Sequence, residues 1–261
     1  MTPFYFGEPG RRLFGIYEPP VTAKGTPRAA VLCHPFAQEQ IRAYRAMRRL
    51  AVRLTRAGWH VLRFDYYGTG DSYGDMVDGD LAGWQGDIAN AVAELRDISA
   101  ARQVTLVGLR LGATLAARAA AAHRRDVNGL VLWEPVTNGS AYIDELFATH
   151  RATYAADPVT RSGDGGGHEV LGFPLTDQLH RDISAIDLLG EPAQLAGLPA
   201  RTFILADGNA ELAAAMATDA GRKSAPATAT SDCAPAWLEE RHTGAGALPV
   251  ASLDIITGWL T

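Results

Sequence analysis

Residues 103–123, QVTLVGLRLGATLAARAAAAH, decide the fold. Gln103–Val107 is an apolar run of the kind that suits a strand buried on both faces of a parallel sheet. It enters the turn Gly108-Leu109-Arg110-Leu111-Gly112, and an alanine-rich helix follows at once through about residue 123. A strand that runs through G-x-x-x-G straight into a helix is the setting of a nucleophile elbow, in which one side chain is held out at a tight corner. In this chain that side chain is arginine.

Working outward, the same alternation recurs. FYF (4–6) and LFGIYEP (13–19) read as two short antiparallel strands joined by a Glu-Pro-Gly turn. Ala29–Cys33 is an apolar strand that ends at His34-Pro35. A helical pattern over about 39–57 places Ile41, Met47, Leu50, Ala51 and Leu54 on one side, and Gly58 stands where a helix C-terminal glycine belongs. A strand at about 60–65 runs into the loop Gly68-Thr69-Gly70-Asp71-Ser72, and Asp80 can cap a helix over about 81–98. Gly129–Trp133 is a further strand, ending at Glu134-Pro135. The rhythm lapses over about 136–197, where two helices (about 141–153 and 178–188) flank the glycine-rich loop SGDGGGH, expected to be mobile. It resumes with a strand at Arg201–Leu205, a helix over 209–219, a strand somewhere in 226–241 and a closing helix at about 249–260. The order implies an α/β fold: a mostly parallel twisted sheet with helices on both faces, one domain over 1–261, and a lid inserted at 136–197.

Composition narrows the function. With 24 Lys and Arg against 29 Asp and Glu, the net charge of −5 points away from nucleic acid. Arg42, Arg45, Arg48, Arg49, Arg53 and Arg56 fall mostly on one helix face and read as a solvated surface. No apolar stretch reaches the roughly 18 residues that span a bilayer. The N-terminus lacks a basic segment followed by an apolar run, so a cytoplasmic protein is expected. Two cysteines, Cys33 and Cys233, make neither a disulfide framework nor a metal cluster. No histidine–carboxylate cluster has ligand spacing, and Gly68-Thr69-Gly70 is too short for a dinucleotide fingerprint, so neither metal nor cofactor is expected.

VLCHPFAQEQ (31–40), FDYYGTGDSYGD (64–75), VGLRLGATLA (107–116), LVLWEPVTNG (130–139) and EVLGFPLTDQL (169–179) carry a resemblance to the α/β-hydrolase superfamily and its serine-aminopeptidase-like group. Within that group the chain most resembles the second of the hydrolases associated with the exosortase A system. The resemblance implies hydrolase chemistry with a triad met in the order Ser, acid, His. It puts Arg110 at the nucleophile position, Glu134 or Asp207 at the acid, His242 at the base, and oxyanion-binding backbone near His34, Phe36 and Leu111.

A guanidinium cannot accept an acyl group and stays protonated at any workable pH. At a helix N-terminus, where the dipole is positive, it needs an anion close by. Glu134 is the first internal candidate, followed by Asp71 and Asp207; a substrate carboxylate, phosphate or enolate is the other. Two functions follow. In one, an enzyme acts on a small anionic acyl or ester compound without an elbow serine, Arg110 being the clamp and His242 the acid–base. In the other, a binding or scaffold protein keeps the fold and has lost the chemistry. A hydrolase that uses Ser72 or Cys33 instead is the third and weakest. Ser72 reads as a turn cap, Cys33 as a small core residue and His168 as solvated. Trp133 and Trp237 read as core or pocket wall.

Overall fold

The computed structural model describes residues 1–23, 25–155, 168–208, 210–217, 225–231, 237 and 248–261. The N-terminal hairpin pairs β1 (Thr2–Phe6) with β2 (Leu13–Glu18) antiparallel. Then follow β3 (Arg28–Cys33), α1 (Gln38–Arg56), β4 (Trp59–Phe64) and α2 (Leu81–Ser99). The central unit is β5 (Val104–Leu109), α3 (Leu111–Ala122) and β6 (Val127–Trp133). The insertion holds α4 (Gly139–Tyr154), the small hairpin β7 (His168–Val170) and β8 (Phe173–Leu175), α5 (Asp177–Ser184) and α6 (Pro192–Ala196). The chain closes with β9 (Arg201–Leu205), α7 (Ala210–Ala217), β10 (Ala227–Ala229) and α8 (Val250–Leu260).

Among the described residues the main sheet has eight strands in the order β1-β2-β4-β3-β5-β6-β9-β10. β2 meets β4 antiparallel, and every pairing from β4 to β10 is parallel. β5 lies at the centre and is buried along its whole length, which is why its sequence shows no polar alternation. One face of the sheet packs against α1 and α8 through Met47, Leu50, Leu54, Leu253 and Ile256. The other packs against α2, α3 and the insertion through Trp84, Ile88, Leu95, Leu115 and Ile143. A mostly parallel sheet, helices on both faces and an insertion between β6 and β9 make this an α/β-hydrolase fold.

Most expected elements stand within two residues of their sequence bounds. Asp80 caps α2 by accepting from the Gly83 N–H at 2.7 Å, and Gly58 takes the left-handed turn after α1. The β7–β8 hairpin and α6 were not foreseen, being too short to carry a period. Of the α1 arginines, Arg42 is buried, not solvated. It lies one turn from the N-terminus of α1, and its Nη1 has no hydrogen-bond partner among the described residues. The loop 162–167, Cys233 and His242 lie outside the described residues. No described helix is long and apolar enough to cross a membrane.

Candidate functional site

Arg110 stands between the last residue of β5 and the first of α3 with φ 54° and ψ −123°. A positive φ is rare for any residue with a side chain and costs about 1–3 kcal/mol. Here it is enforced from both sides. The Arg110 N–H donates to the Trp133 carbonyl at 2.9 Å, and the Arg110 carbonyl accepts from Ala113 at 3.0 Å. The flanking glycines explain the G-x-x-x-G spacing: a Cβ on Gly112 would overlap the His34 carbonyl, and one on Gly108 would overlap the Ala113 backbone.

A second residue adopts the same conformation. Ala37, the N-cap of α1, has φ 51° and ψ −127°. Helices α1 and α3 thus start from matching corners, and Glu39, in the first turn of α1, is fully buried. An acid in the first turn suits the helix dipole; burial of its charge demands a partner.

That partner is Arg110. Its Nε donates to Glu39 Oε1 at 2.8 Å, and its Nη2 donates to Glu145 Oε2 on the insertion helix α4. The Tyr142 hydroxyl donates to the other Glu39 oxygen at 2.7 Å, and the guanidinium carbon sits 5.2 Å from the Tyr142 ring centroid. The arginine side chain is 15% exposed and that of Glu145 41%. Burial opposes the Arg110 charge, but Glu39, then Tyr142 and Glu145, outweigh it and hold the guanidinium above its ordinary range. Burial pushes the Glu39 carboxyl up, while Arg110 and the Tyr142 hydrogen bond pull it back. One cation and two carboxylates therefore fill the corner where a serine hydroxyl would stand.

The expected Arg110–Glu134 pair does not form. Glu134, at φ 47° past the end of β6, turns toward the next strands: its side chain is hydrogen-bonded with Ser231 and accepts from the Asp207 backbone N–H. Arg110 reaches it only through space, and burial leaves its carboxyl above the usual range. The acid neighbours of an elbow come not only from the adjacent strand end but also from the helix behind it and the lid above it.

The other expected residues divide. Phe36 and Leu111 are buried and line one narrow slot together with His34. His34 is buried to 3% exposure, and its Nδ1 has no partner in the described structure. Burial, reinforced by Arg63, lowers its pKa to about 3, so the ring is neutral at working pH and is no general acid. Asp71 is exposed and borders a cavity instead of the elbow. Asp207 is exposed and touches Glu134 only through its backbone. Cys33 is fully buried with its thiol pushed well up by burial, and it cannot supply a thiolate. Ser72 accepts from the Phe14 N–H at 2.8 Å and donates to the Asp65 carbonyl at 2.6 Å, a turn-fixing role. Trp133 and Trp237 are core, packed edge to face at 5.4 Å.

Sequence reasoning missed Glu39, Tyr142 and Glu145. The only local signal was an acid in the first turn of a helix that begins beside the oxyanion loop. Asp65 and Gln40 were also missed. They line a cavity of about 600 Å³ that shares Ala37, Gln40 and Thr69 with the slot reaching Leu111.

Comparison with known proteins agrees with this fold. No curated protein sequence matches the chain significantly. Among solved structures, Est1E from Butyrivibrio proteoclasticus with ferulic acid bound superposes with TM-score 0.66 at 16% identity, covering 98% of this chain and 95% of that one. DcsB in complex with its substrate analogue gives TM-score 0.66 at 15% identity, covering 99% and 98%. The mouse alpha/beta hydrolase domain-containing protein 10 gives 0.61 at 16%, covering 100% and 97%. At such identities the likeness is one of fold. The model of the serine aminopeptidase S33 family matches residues 25–163, just over half of the chain, and the protein therefore belongs to that family, with an arginine at its nucleophile elbow.

Proposed function

We propose that this protein binds a small molecule on a hydrolase scaffold and carries out no covalent catalysis at the elbow. The observation that supports it is the engagement of Arg110 by Glu39 and Glu145. The guanidinium charge is already matched by two carboxylates, so a substrate anion would have to compete with them for it. The small anionic acyl compound that a free Arg110 would clamp thus loses its counter-charge. The ligand space is the cavity that joins the elbow through the slot at His34 and Leu111. The subgroup reading, a relative of the second exosortase A system-associated hydrolase, rests on the five segments quoted above. A cytoplasmic protein without nucleic-acid or membrane partners fits its charge balance.

The test is a panel of ester, thioester and lactone substrates run beside a small-molecule thermal-shift screen. Ligand-dependent melting without turnover is expected. Turnover above a His242→Ala control overturns the proposal.

One observation favours a second reading, an enzyme that acts without the serine. Glu134 remains at the acid position, half-buried, held by Ser231 and the Asp207 N–H, and burial keeps its carboxyl above the usual range. With His242 it would activate water or move a proton on a bound acyl compound. Loss of turnover in both Glu134→Gln and His242→Ala would establish that reading.

A further inference from the structure

The cavity beside the elbow has a chemical character of its own. Its walls come from three places: the first turns of α1, the loop after β4 and the insertion hairpin. Ile41 and Tyr44 project from α1 and are 55% and 46% exposed, apolar surface that the fold itself leaves uncovered. Met76 and Phe173 face the same space. The result is a mostly apolar enclosure of about 600 Å³, within the range of small-molecule sites.

Its acids are Asp65 and Asp71, beside Gln40 and Thr69, and Arg45 of α1 also lines it. Asp65 takes the Gln40 side-chain N–H at 2.9 Å on one oxygen and the Asp71 backbone N–H at 3.1 Å on the other. A carboxylate has about four lone-pair positions, so each oxygen keeps one to offer. The Asp71 carboxylate has no partner among the described residues. Gly70 lets the loop fold this tightly over Asp65, since any side chain there would overlap the Asp65 carboxylate. A smaller pocket of about 60 Å³ continues behind, bordered by Asp65, Asp71, Tyr44 and His34; His34 is 97% buried and its Nδ1 is unpartnered. Arg63, which also borders that pocket, is spent on Glu18, to which it donates at 2.9 and 3.1 Å. Arg45 is exposed on α1. Two carboxylates thus lie at one end of a mostly apolar cavity; Arg63, paired with Glu18, still acts on Asp65 through space, and Arg45 stands at the wall on α1.

We propose that this cavity takes a ligand with a protonated amine head and an apolar body, the head between Asp65 and Asp71 and the body along Ile41, Tyr44 and Phe173. The proposal rests on the binding reading above and gives it a ligand class opposite in charge to the one a free Arg110 would select.

Isothermal titration calorimetry on the full chain tests it with three probes of one shape: 4-phenylbutylamine, 4-phenylbutan-1-ol and 4-phenylbutanoate. The amine is expected to bind at least about tenfold tighter than the carboxylate, a difference of about 1.4 kcal/mol. Asp71 is exposed in a loop, so Asp71→Asn should fold; it should weaken the amine about fivefold and leave the alcohol unchanged. Phe173→Ala should weaken amine and alcohol alike. Binding of the carboxylate equal to that of the amine overturns the proposal. So do an amine that fails to bind and an Asp71→Asn variant that binds it as the wild type does. Those failures, without ester turnover, leave the binding reading standing; ester turnover overturns that reading whatever the amine does.

Discussion

Arg110 Nε and Glu39 Oε1 meet at 2.8 Å across 71 residues of sequence, tying the β5–α3 corner to the first turn of α1. Removing one member of a buried ion pair leaves the other charge uncompensated, at a cost of about 3–5 kcal/mol. Arg110→Met should therefore lower unfolding stability by about that amount. Urea denaturation followed by circular dichroism measures it. A neutral or stabilising outcome would mean that Glu39 is held by other means.

Tyr142 and Glu145 should contribute unequally. The Tyr142 hydroxyl bonds a fully buried carboxylate, so Tyr142→Phe should cost about 1–3 kcal/mol. Glu145 is 41% exposed, and Glu145→Ala should cost less than about 1 kcal/mol. Its effect should be local instead: faster amide exchange along α4, residues 139–154, with β5 unchanged. Hydrogen-exchange mass spectrometry on both variants checks the contrast, and equal losses in the two would remove it.

His34 makes stability depend on pH. Burial first, then Arg63, lowers its pKa to about 3, whereas an unfolded histidine titrates near 6.5. As pH falls below about 6.5 the unfolded chain takes up a proton that the folded chain refuses until about 3. The contribution is complete above 6.5 and is lost progressively on acidification, by about 2 kcal/mol at pH 5. Buried acids such as Glu39 and Asp65, with raised values, act in the opposite sense on acidification. The clean observable is therefore the difference between wild type and His34→Asn. That difference should shrink by about 2 kcal/mol from pH 7 to pH 5; a constant difference would contradict a buried neutral imidazole.

Gly112 permits the closest backbone approach at the elbow, against the His34 carbonyl. Gly112→Ala should cost about 3 kcal/mol by overpacking, while Gly86→Ala, on α2 with open space around it, should be neutral or slightly stabilising. Melting temperatures of the two variants decide this, and a tolerated Gly112→Ala would refute the close approach.

Local signals carried the fold. The unbroken apolar runs of β3, β5 and β6, the Asp80 cap and the Gly58 stop each act over a few residues, and each can be read from a few residues. The corner at Arg110 was legible for the same reason. Its partners were not, because Glu39, Tyr142 and Glu145 are brought together by tertiary packing of two elements 71 and 35 residues away. The expectation of Glu134 used the right rule, adjacency of parallel strand ends, and failed because Ser231 and the Asp207 N–H compete for that carboxylate. Short elements such as β7, β8 and α6 carry too few residues for a period to show. Of the cavity's two acids, Asp71 was named from the sequence as a candidate anion for Arg110, whereas Asp65 was passed over at the end of an expected strand.

A double-mutant cycle on Arg110 and Glu39 tests the sealed elbow most directly. Arg110→Met and Glu39→Gln should each destabilise, and the double variant should lose less than the sum, with a coupling energy of about 2 kcal/mol or more by urea denaturation. Losses that add to within about 0.5 kcal/mol would show that the two side chains do not depend on each other, and that the arginine is free to meet a substrate.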